Sequence, residues 1–168
     1  SGQTGAVLHT LDGEAFGDMF GWSVSGAGDV DGDGYDDLVV GAWGNDTNGG
    51  DSGSATIISG DTGLPIYTFY GDSFNDHFGL QVSGAGDVDA DGYSDVIVGA
   101  HADDNEGTNS GSARVFSGQA GNVIGTYNGD DAGDNFGAAV GGGGDTDGDG
   151  YADVVVGAYL DDNNGPSS

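Results

Sequence analysis

Asp29-Val30-Asp31-Gly32-Asp33-Gly34-Tyr35-Asp36-Asp37 returns as Asp87-Val88-Asp89-Ala90-Asp91-Gly92-Tyr93-Ser94-Asp95, and again as Asp145-Thr146-Asp147-Gly148-Asp149-Gly150-Tyr151-Ala152-Asp153, each copy 58 residues after the last. Every copy has carboxylates at loop positions 1, 3, 5 and 9, glycine at 6 and tyrosine at 7. Alternate carboxylates on a tightly turned backbone converge on one point and repel unless a cation sits among them. A hard divalent ion suits such an all-oxygen set. Calcium suits it best, because it accepts about six to eight oxygen ligands in a flexible loop. The fixed period makes the chain a repeat protein.

The flanking residues recur in the same frame. Phe20-Gly21, Phe78-Gly79 and Phe136-Gly137 coincide, as do Gly41-Ala42, Gly99-Ala100 and Gly157-Ala158. Ser1-Gly2, Ser59-Gly60 and Ser117-Gly118 align, and Asp18, Asp76 and Asp134 precede each Phe-Gly. Between these markers lie short β-branched runs. Phe20, Trp22 and Val24 alternate with small residues, the period-2 pattern of a first strand. Leu38–Val40, Val96–Val98 and Val154–Val156 are unbroken apolar runs, which suit a second strand covered on both faces. Ala55–Ile58 and Ala113–Phe116 read as third strands; Val7–Thr10, Ile66–Phe69 and Val123–Thr126 read as fourth strands. Clusters of Gly, Asp, Asn and Ser separate them, and no segment has a helical period. The 38 glycines recur in phase, as dense turns and close backbone approach require.

The fold expected is all-β: four antiparallel strands per unit, the pattern of a β-propeller blade. A β-solenoid usually has shorter repeats, and a β-sandwich does not repeat at this spacing. The expected organisation is one array over 1–168: a terminal strand of a split blade in 1–19, repeats at 20–77 and 78–135, and the first two strands of a third at 136–168. A closed propeller takes about four to eight blades. About three repeats fall short, so the chain reads as incomplete on its own, with open sheet edges that invite pairing. It begins in mid-repeat and so reads as a mature or excised segment. The expected outcomes are a longer parent protein, a ring of two copies, or an end-to-end filament.

Composition narrows the function. Twenty-nine Asp and Glu stand against one basic residue, Arg114, for a net charge of −28. Nothing here neutralises phosphates, so nucleic acid is excluded as a partner, and an anionic membrane would repel the chain. There is no cysteine, so metal takes the place of disulfides as the staple of a secreted chain. No stretch reads as a transmembrane helix or a signal peptide. Extracellular modules bind calcium at about 10⁻⁴–10⁻³ M, matching calcium outside cells, which places the protein there.

Phe-Gly, a DxDxDGxxD loop and Gly-Ala together resemble the FG-GAP repeat of integrin alpha-type propellers and their bacterial relatives, over essentially the whole chain. In that family the loop binds calcium between the first two strands of a blade. The resemblance implies as ligands Asp29, Asp31, Asp33 and Asp37; Asp87, Asp89, Asp91 and Asp95; and Asp145, Asp147, Asp149 and Asp153. The backbone carbonyls of Tyr35, Tyr93 and Tyr151 would add one oxygen each, giving about three calcium ions. The family's proline after Gly-Ala is replaced by Trp43, His101 and Tyr159, so the following turn is open to change.

Two other readings of the loop fail. An EF-hand needs a glutamate at position 12 and flanking helices, whereas position 12 is Val40, Val98 or Val156. Plain acidic turns do not explain the same four acidic positions in three copies. Catalysis has no constellation: His9, His77 and His101 do not recur in phase, and no serine sits in a nucleophile elbow. Asp103-Asp104 and Asp161-Asp162 read as solvated loop tips or further cation ligands, and Asp18, Asp76 and Asp134 as groups that hold the blade turn. Trp22 reads as packing between blades. Trp43, in the variable turn, suits packing and sugar stacking equally. The function expected is an extracellular calcium-binding structural or adhesion module, not an enzyme, with further copies, an extracellular protein or a glycan as partner. A carbohydrate-binding module of a secreted polysaccharide-acting enzyme is the alternative.

Overall fold

The β-branched runs form short strands because glycine and aspartate turns end each one within five to nine residues. A computed structural model describes residues 1–161. β1 (Ser23–Gly28), β2 (Asp37–Ala42), β3 (Ser54–Ile58) and β4 (Pro65–Tyr70) form an antiparallel meander in the order β1-β2-β3-β4. β5 (Gln81–Gly86), β6 (Asp95–Ala100), β7 (Ser112–Phe116) and β8 (Val123–Asn128) repeat it, and β9 (Phe136–Gly144) pairs with β10 (Asp153–Ala158). The register repeats as well: Val40 faces Thr56 in the first sheet and Val98 faces Arg114 in the second. Among the described residues these blades do not close into a ring.

The blades stand face to face with their first strands side by side, β5 packing against both β1 and β9. Glycine permits this approach: a Cβ on Gly84 would lie 2.6 Å from the Gly26 oxygen, and one on Gly142 2.7 Å from the Gly84 oxygen. Two cores fill the spaces between blades. Val39, Ala55 and Ile57 of the first blade meet Val82, Val96, Val98 and Phe116 of the second. Ile97, Ala113 and Val115 on the opposite face of the second meet Val140, Val154 and Val156 of the third. Successive residues of a strand point to opposite faces, so β6 is buried throughout, while Val155 of β10 is 61% exposed.

The recurrent dipeptides sit at the same interface. Phe78 N–H donates to the Ser52 carbonyl at 3.1 Å, and Gly53 and Phe78 form a parallel bridge. This places the fully buried Phe78 ring edge-on to Phe116, centroids 6.0 Å apart. A Cβ on Gly41 would lie 2.0 Å from the Gly79 oxygen, and one on Gly99 2.1 Å from the Gly137 oxygen. The Gly-Ala of one blade therefore abuts the Phe-Gly of the next, and both glycines are required.

Two readings of the sequence change. Val7–Thr10, expected as a fourth strand, joins no ladder; a fourth strand bonds to the third strand of its own blade, as β4 does to β3, and none precedes this segment among the described residues. His9 Nε2 instead lies 3.1 Å from the Gly60 carbonyl. The turn after the second strand, with Trp43 or His101 at the proline position, is closed by Asn45 N–H to Ala42 O and by Asp103 N–H to Ala100 O, both at 3.2 Å. The point where a further third strand was expected, near Pro166-Ser167-Ser168, lies outside the described residues.

Gly99→Ala is expected to lower stability by about 1–3 kcal/mol through overpacking against backbone, read by chemical denaturation. An unchanged midpoint would mean that the blades do not meet as described.

Candidate metal centres

Each acidic loop joins the first two strands of a blade: β1 to β2, β5 to β6, and β9 to β10. The loop carboxylates first fold their own backbone. Asp29 accepts Gly32 N–H at 2.8 Å and Gly34 N–H at 3.0 Å, and Asp87 and Asp145 accept Gly92 and Gly150 N–H at 3.0 Å. Asp33, Asp91 and Asp149 accept the N–H of Tyr35, Tyr93 and Tyr151 at 2.8–3.0 Å. Position 6 has φ of 90°, 93° and 95° in the three copies, a conformation that only glycine adopts without strain. Successive loops are also joined to each other, Ser94 N–H to Asp29 O and Ala152 N–H to Asp87 O.

The position-9 aspartates differ from the rest, because Asp37 and Asp95 are fully buried. Asp37 accepts Val30 N–H at 2.8 Å and Gly60 N–H at 2.9 Å; Asp95 accepts Val88 N–H at 2.7 Å and Gly118 N–H at 2.9 Å. Each ties its loop to the turn between the third and fourth strands. This explains the recurrent Ser-Gly: a Cβ on Gly60 would lie 2.0 Å from Asp36 O, and one on Gly118 2.0 Å from Ser94 O. Burial holds the Asp95 carboxyl above its ordinary range despite its two amide donors. Asp153 is more exposed, and its hydrogen bonds from Thr146 draw its carboxyl below that range.

Oxygen atoms of Asp29, Asp31 and Asp33 lie within 4.8 Å of one another; so do those of Asp87, Asp89 and Asp95, and of Asp145, Asp147 and Asp153. Positions 1 and 3 thus converge in all three copies. Position 5 joins them in the first and position 9 in the other two, which leaves Asp37, Asp91 and Asp149 outside the triads. Desolvation, then the charges of Asp33, Asp37 and Asp29 against an opposing Asp33 amide, raise the Asp31 carboxyl. A carboxylate offers about four lone-pair sites, so amide bonds leave capacity for an ion. The donor set is hard, all-oxygen and anionic, and fits calcium.

The FG-GAP repeat pattern matches residues 20–58 and 78–116, from Phe-Gly to the end of the third strand in two blades. The chain belongs to the FG-GAP repeat family. It is 32% identical over 168 residues to integrin alpha-5 of Xenopus laevis, covering 90% of this chain and 16% of that protein. It is 34% identical over 178 residues to integrin alpha-PS2 of Drosophila melanogaster, covering 94% and 12%. Integrin alpha-IIb of Homo sapiens is 32% identical over 169 residues, covering 90% and 16%. The chain therefore spans about one-sixth or less of the length of these relatives. They are integrin alpha chains and not enzymes, in keeping with the non-catalytic reading.

A second acidic cluster in the FG-GAP frame escaped the sequence reading. Asp72, Asp76 and Asp103 place oxygens within 4.8 Å of one another, and Arg114 Nη2 lies 2.7 Å from Asp72 and 3.4 Å from Asp103. Asp103, expected as a solvated loop tip or cation ligand, is buried and accepts Ser112 Oγ at 2.6 Å. Its neighbour Asp104 caps Asn109 N–H at 2.7 Å. Asp76 holds the blade turn as expected, accepting Ser73 N–H at 2.8 Å. Desolvation, with a hydrogen bond to Asp72, pushes its carboxyl up to about 7.

The aromatics also form one assembly. Trp43 meets Trp22 at 5.9 Å and His77 at 5.0 Å, both edge-on, and His77 stacks on His101 at 5.3 Å. Trp43 is half-buried, with its Nε1 atom fully so, and its ring packs edge-on against Trp22 and His77. Trp22, expected between blades, is 60% exposed, because no sheet among the described residues covers that side of β1. Among those residues no helix is long and apolar enough to cross a membrane.

Ala90 has φ of 58° where Gly32 and Gly148 have 78° and 82°. Ala90→Gly is therefore expected to stabilise the protein by about 1 kcal/mol, seen as a higher denaturation midpoint; a lower one contradicts the loop conformation. The folded state holds the Asp76 proton more tightly than the unfolded chain, whose aspartates titrate near 3.8. Its contribution is complete below about 3.8 and is lost as pH rises towards about 7. Asp76→Asn should flatten the fall in Tm across that window, and an unaltered slope would rule out the buried carboxyl as its source.

Proposed function

We propose that the chain is an extracellular structural or adhesion module of FG-GAP blades, with one calcium ion held in each acidic loop. The residues assigned to the ions are Asp29, Asp31, Asp33 and Asp37; Asp87, Asp89, Asp91 and Asp95; and Asp145, Asp147, Asp149 and Asp153. The carbonyls of Tyr35, Tyr93 and Tyr151 join them. The observation that carries the reading is the convergence of a carboxylate triad in each of three loops at the same place in the blade. Bound calcium supplies charge neutralisation. The chain supplies the rest: amides hold each carboxylate in place, and Asp37 and Asp95 connect the loops to the Ser-Gly turns. Ordering a loop then orders the turn between the third and fourth strands, so metal binding is coupled to folding.

The net charge of −28 supports the same reading. Three calcium ions relieve the local repulsion and leave the molecule strongly anionic, which favours solubility in saline surroundings. The outer blades support assembly. Val24, Leu64, Val155 and Tyr159 are all exposed, and blade faces of this kind match one another or the further blades of a longer propeller. Copies then complete a ring, extend into a filament, or leave this array as one part of a larger adhesive protein. An integrin-like role in contacting extracellular protein rests on the relatives' likeness.

Each loop at 100 times its dissociation constant adds about 2.7 kcal/mol to stability. Chelation is therefore expected to lower Tm steeply, and titration calorimetry to return three calcium ions per chain. Asp89→Asn should weaken one site of the three, whereas the exposed Asp36→Asn, outside every triad, should not. A melt unmoved by chelator removes the calcium assignment. Electron microscopy in calcium tests assembly: rings or filaments support it, and a monodisperse monomer refutes it.

A further inference from the structure

The first two acidic loops are joined through a single peptide unit. Ser94 N–H donates to Asp29 O at 3.0 Å. Tyr93, on the other side of that peptide bond, carries the carbonyl assigned to the ion of the second loop. A peptide unit is planar, so the bond that fixes the direction of the N–H also fixes that of the C=O. Asp29 meanwhile serves its own loop: its carboxylate accepts Gly32 and Gly34 N–H and lies in the first triad. One residue thus has its side chain in the first loop and its backbone on a ligand-bearing peptide of the second. The second and third loops are joined in the same way. Ala152 N–H donates to Asp87 O at 2.9 Å, Tyr151 carries the carbonyl, and the Asp87 carboxylate lies in the second triad.

Packing reinforces both bridges. A Cβ on Gly28 would lie 2.3 Å from Ser94 Oγ, and one on Gly86 2.9 Å from Ala152 Cβ. The residue after each ligand tyrosine therefore rests on the glycine before position 1 of the preceding loop. The first pair of loops has two further contacts. A Cβ on Gly32 would lie 2.6 Å from Tyr93 Cε1, so that ring covers the first loop. The fully buried Val30 reaches the turn that Asp95 pins: a Cβ on Gly118 would lie 3.0 Å from Val30 Cγ1. In the second pair Ala90 stands where Gly32 does, and Tyr151 is 49% exposed. We propose that occupation of one loop by calcium raises the affinity of its neighbour, most strongly between the first and second loops. This coupling rests on the calcium reading above. With its carboxylate engaged, Asp29 is held in place, and so is the acceptor that orients the Tyr93 carbonyl. The second loop then has less conformational entropy to lose when it takes its own ion. The coupling is reciprocal by linkage. Electrostatics alone has the opposite sign, because each bound ion removes negative charge near the next loop and weakens its attraction for a cation. Positive cooperativity is therefore the mark of the peptide bridges.

Calcium titration of the full chain, followed by NMR at the amides of Gly34, Gly92 and Gly150, reads the three loops separately, because each amide donates to the position-1 carboxylate of its own loop. Gly34 and Gly92 are expected to titrate together, with a Hill coefficient above one. Ser94→Pro removes the bridging N–H and no carboxylate, and should separate the two titrations. Asp31→Asn takes a triad carboxylate from the first loop; beyond the loss of that site, it should weaken calcium at Gly92 severalfold. An empty loop with three carboxylates is more negative than a filled one with four, so electrostatics alone would tighten Gly92 instead. This second variant keeps the test decisive if Ser94→Pro fails to fold. Hill coefficients of one or less at all three amides, or a Gly92 midpoint that Asp31→Asn leaves unchanged or lowers, overturn the coupling and leave the three calcium sites standing. No calcium-dependent shift at any of the three amides overturns the calcium reading and the coupling with it.

Discussion

A buried carboxylate that accepts two backbone amides from different turns is the interaction on which the first two blades depend. Asp37 opens β2, closes the acidic loop through Val30 N–H and pins the Ser-Gly turn through Gly60 N–H. Asp95 does the same with Val88 and Gly118. Burying an ionised group unpaired would cost several kcal/mol, and two oriented N–H donors offset that cost. Burial nevertheless holds the Asp95 carboxyl above its ordinary range with both donors in place. One side chain therefore sets the start of the second strand, the shape of the acidic loop and the return of the chain between the third and fourth strands. Loop shape and blade geometry are consequently not separable properties.

The second constraint is steric and acts between blades. Where Gly41 meets Gly79, and Gly99 meets Gly137, a Cβ would lie 2.0–2.1 Å from a carbonyl oxygen of the next blade. Such contact brings the sheets close enough for Phe78 to fill the gap between them. Electrostatics thus shapes the blade from within, and backbone contact fixes how one blade meets the next. The family's two signature dipeptides belong to the second task and its acidic loop to the first.

The within-blade features were legible because they are local and periodic. The loops, the second strands and the four-strand meander follow from alternation, spacing and turn residues. Val7–Thr10 lies outside any ladder among the described residues because a strand needs a partner, and composition does not report whether one is present. Trp22 is exposed among the described residues for a similar reason: the cover of a side chain depends on the next sheet. Asp103 and Arg114, eleven residues apart in the chain, meet only because Val98 pairs with Arg114 across β6 and β7. No pattern along the sequence marks that meeting. The pairing of His77 with His101 was missed because each histidine aligns with non-histidines in the other repeats, so repetition, the strongest signal available, counted against it.

The three second strands separate what sequence determines from what neighbours determine. Val96-Ile97-Val98 and Val154-Val155-Val156 have nearly the same composition, yet the first is wholly buried and the second is half open. Burial here belongs to the stack and not to the blade. In such an array stability is a sum of unit terms and nearest-neighbour terms, and apolar burial in this chain lies almost wholly in the two interfaces. A single blade would have hydrogen-bonded turns and little core. The carboxylate loops make each unit ready to stack, and stacking makes it stable. Selection on the loop and selection on the Phe-Gly and Gly-Ala contacts therefore act on one property from two ends, which is why all three recur together at a single spacing.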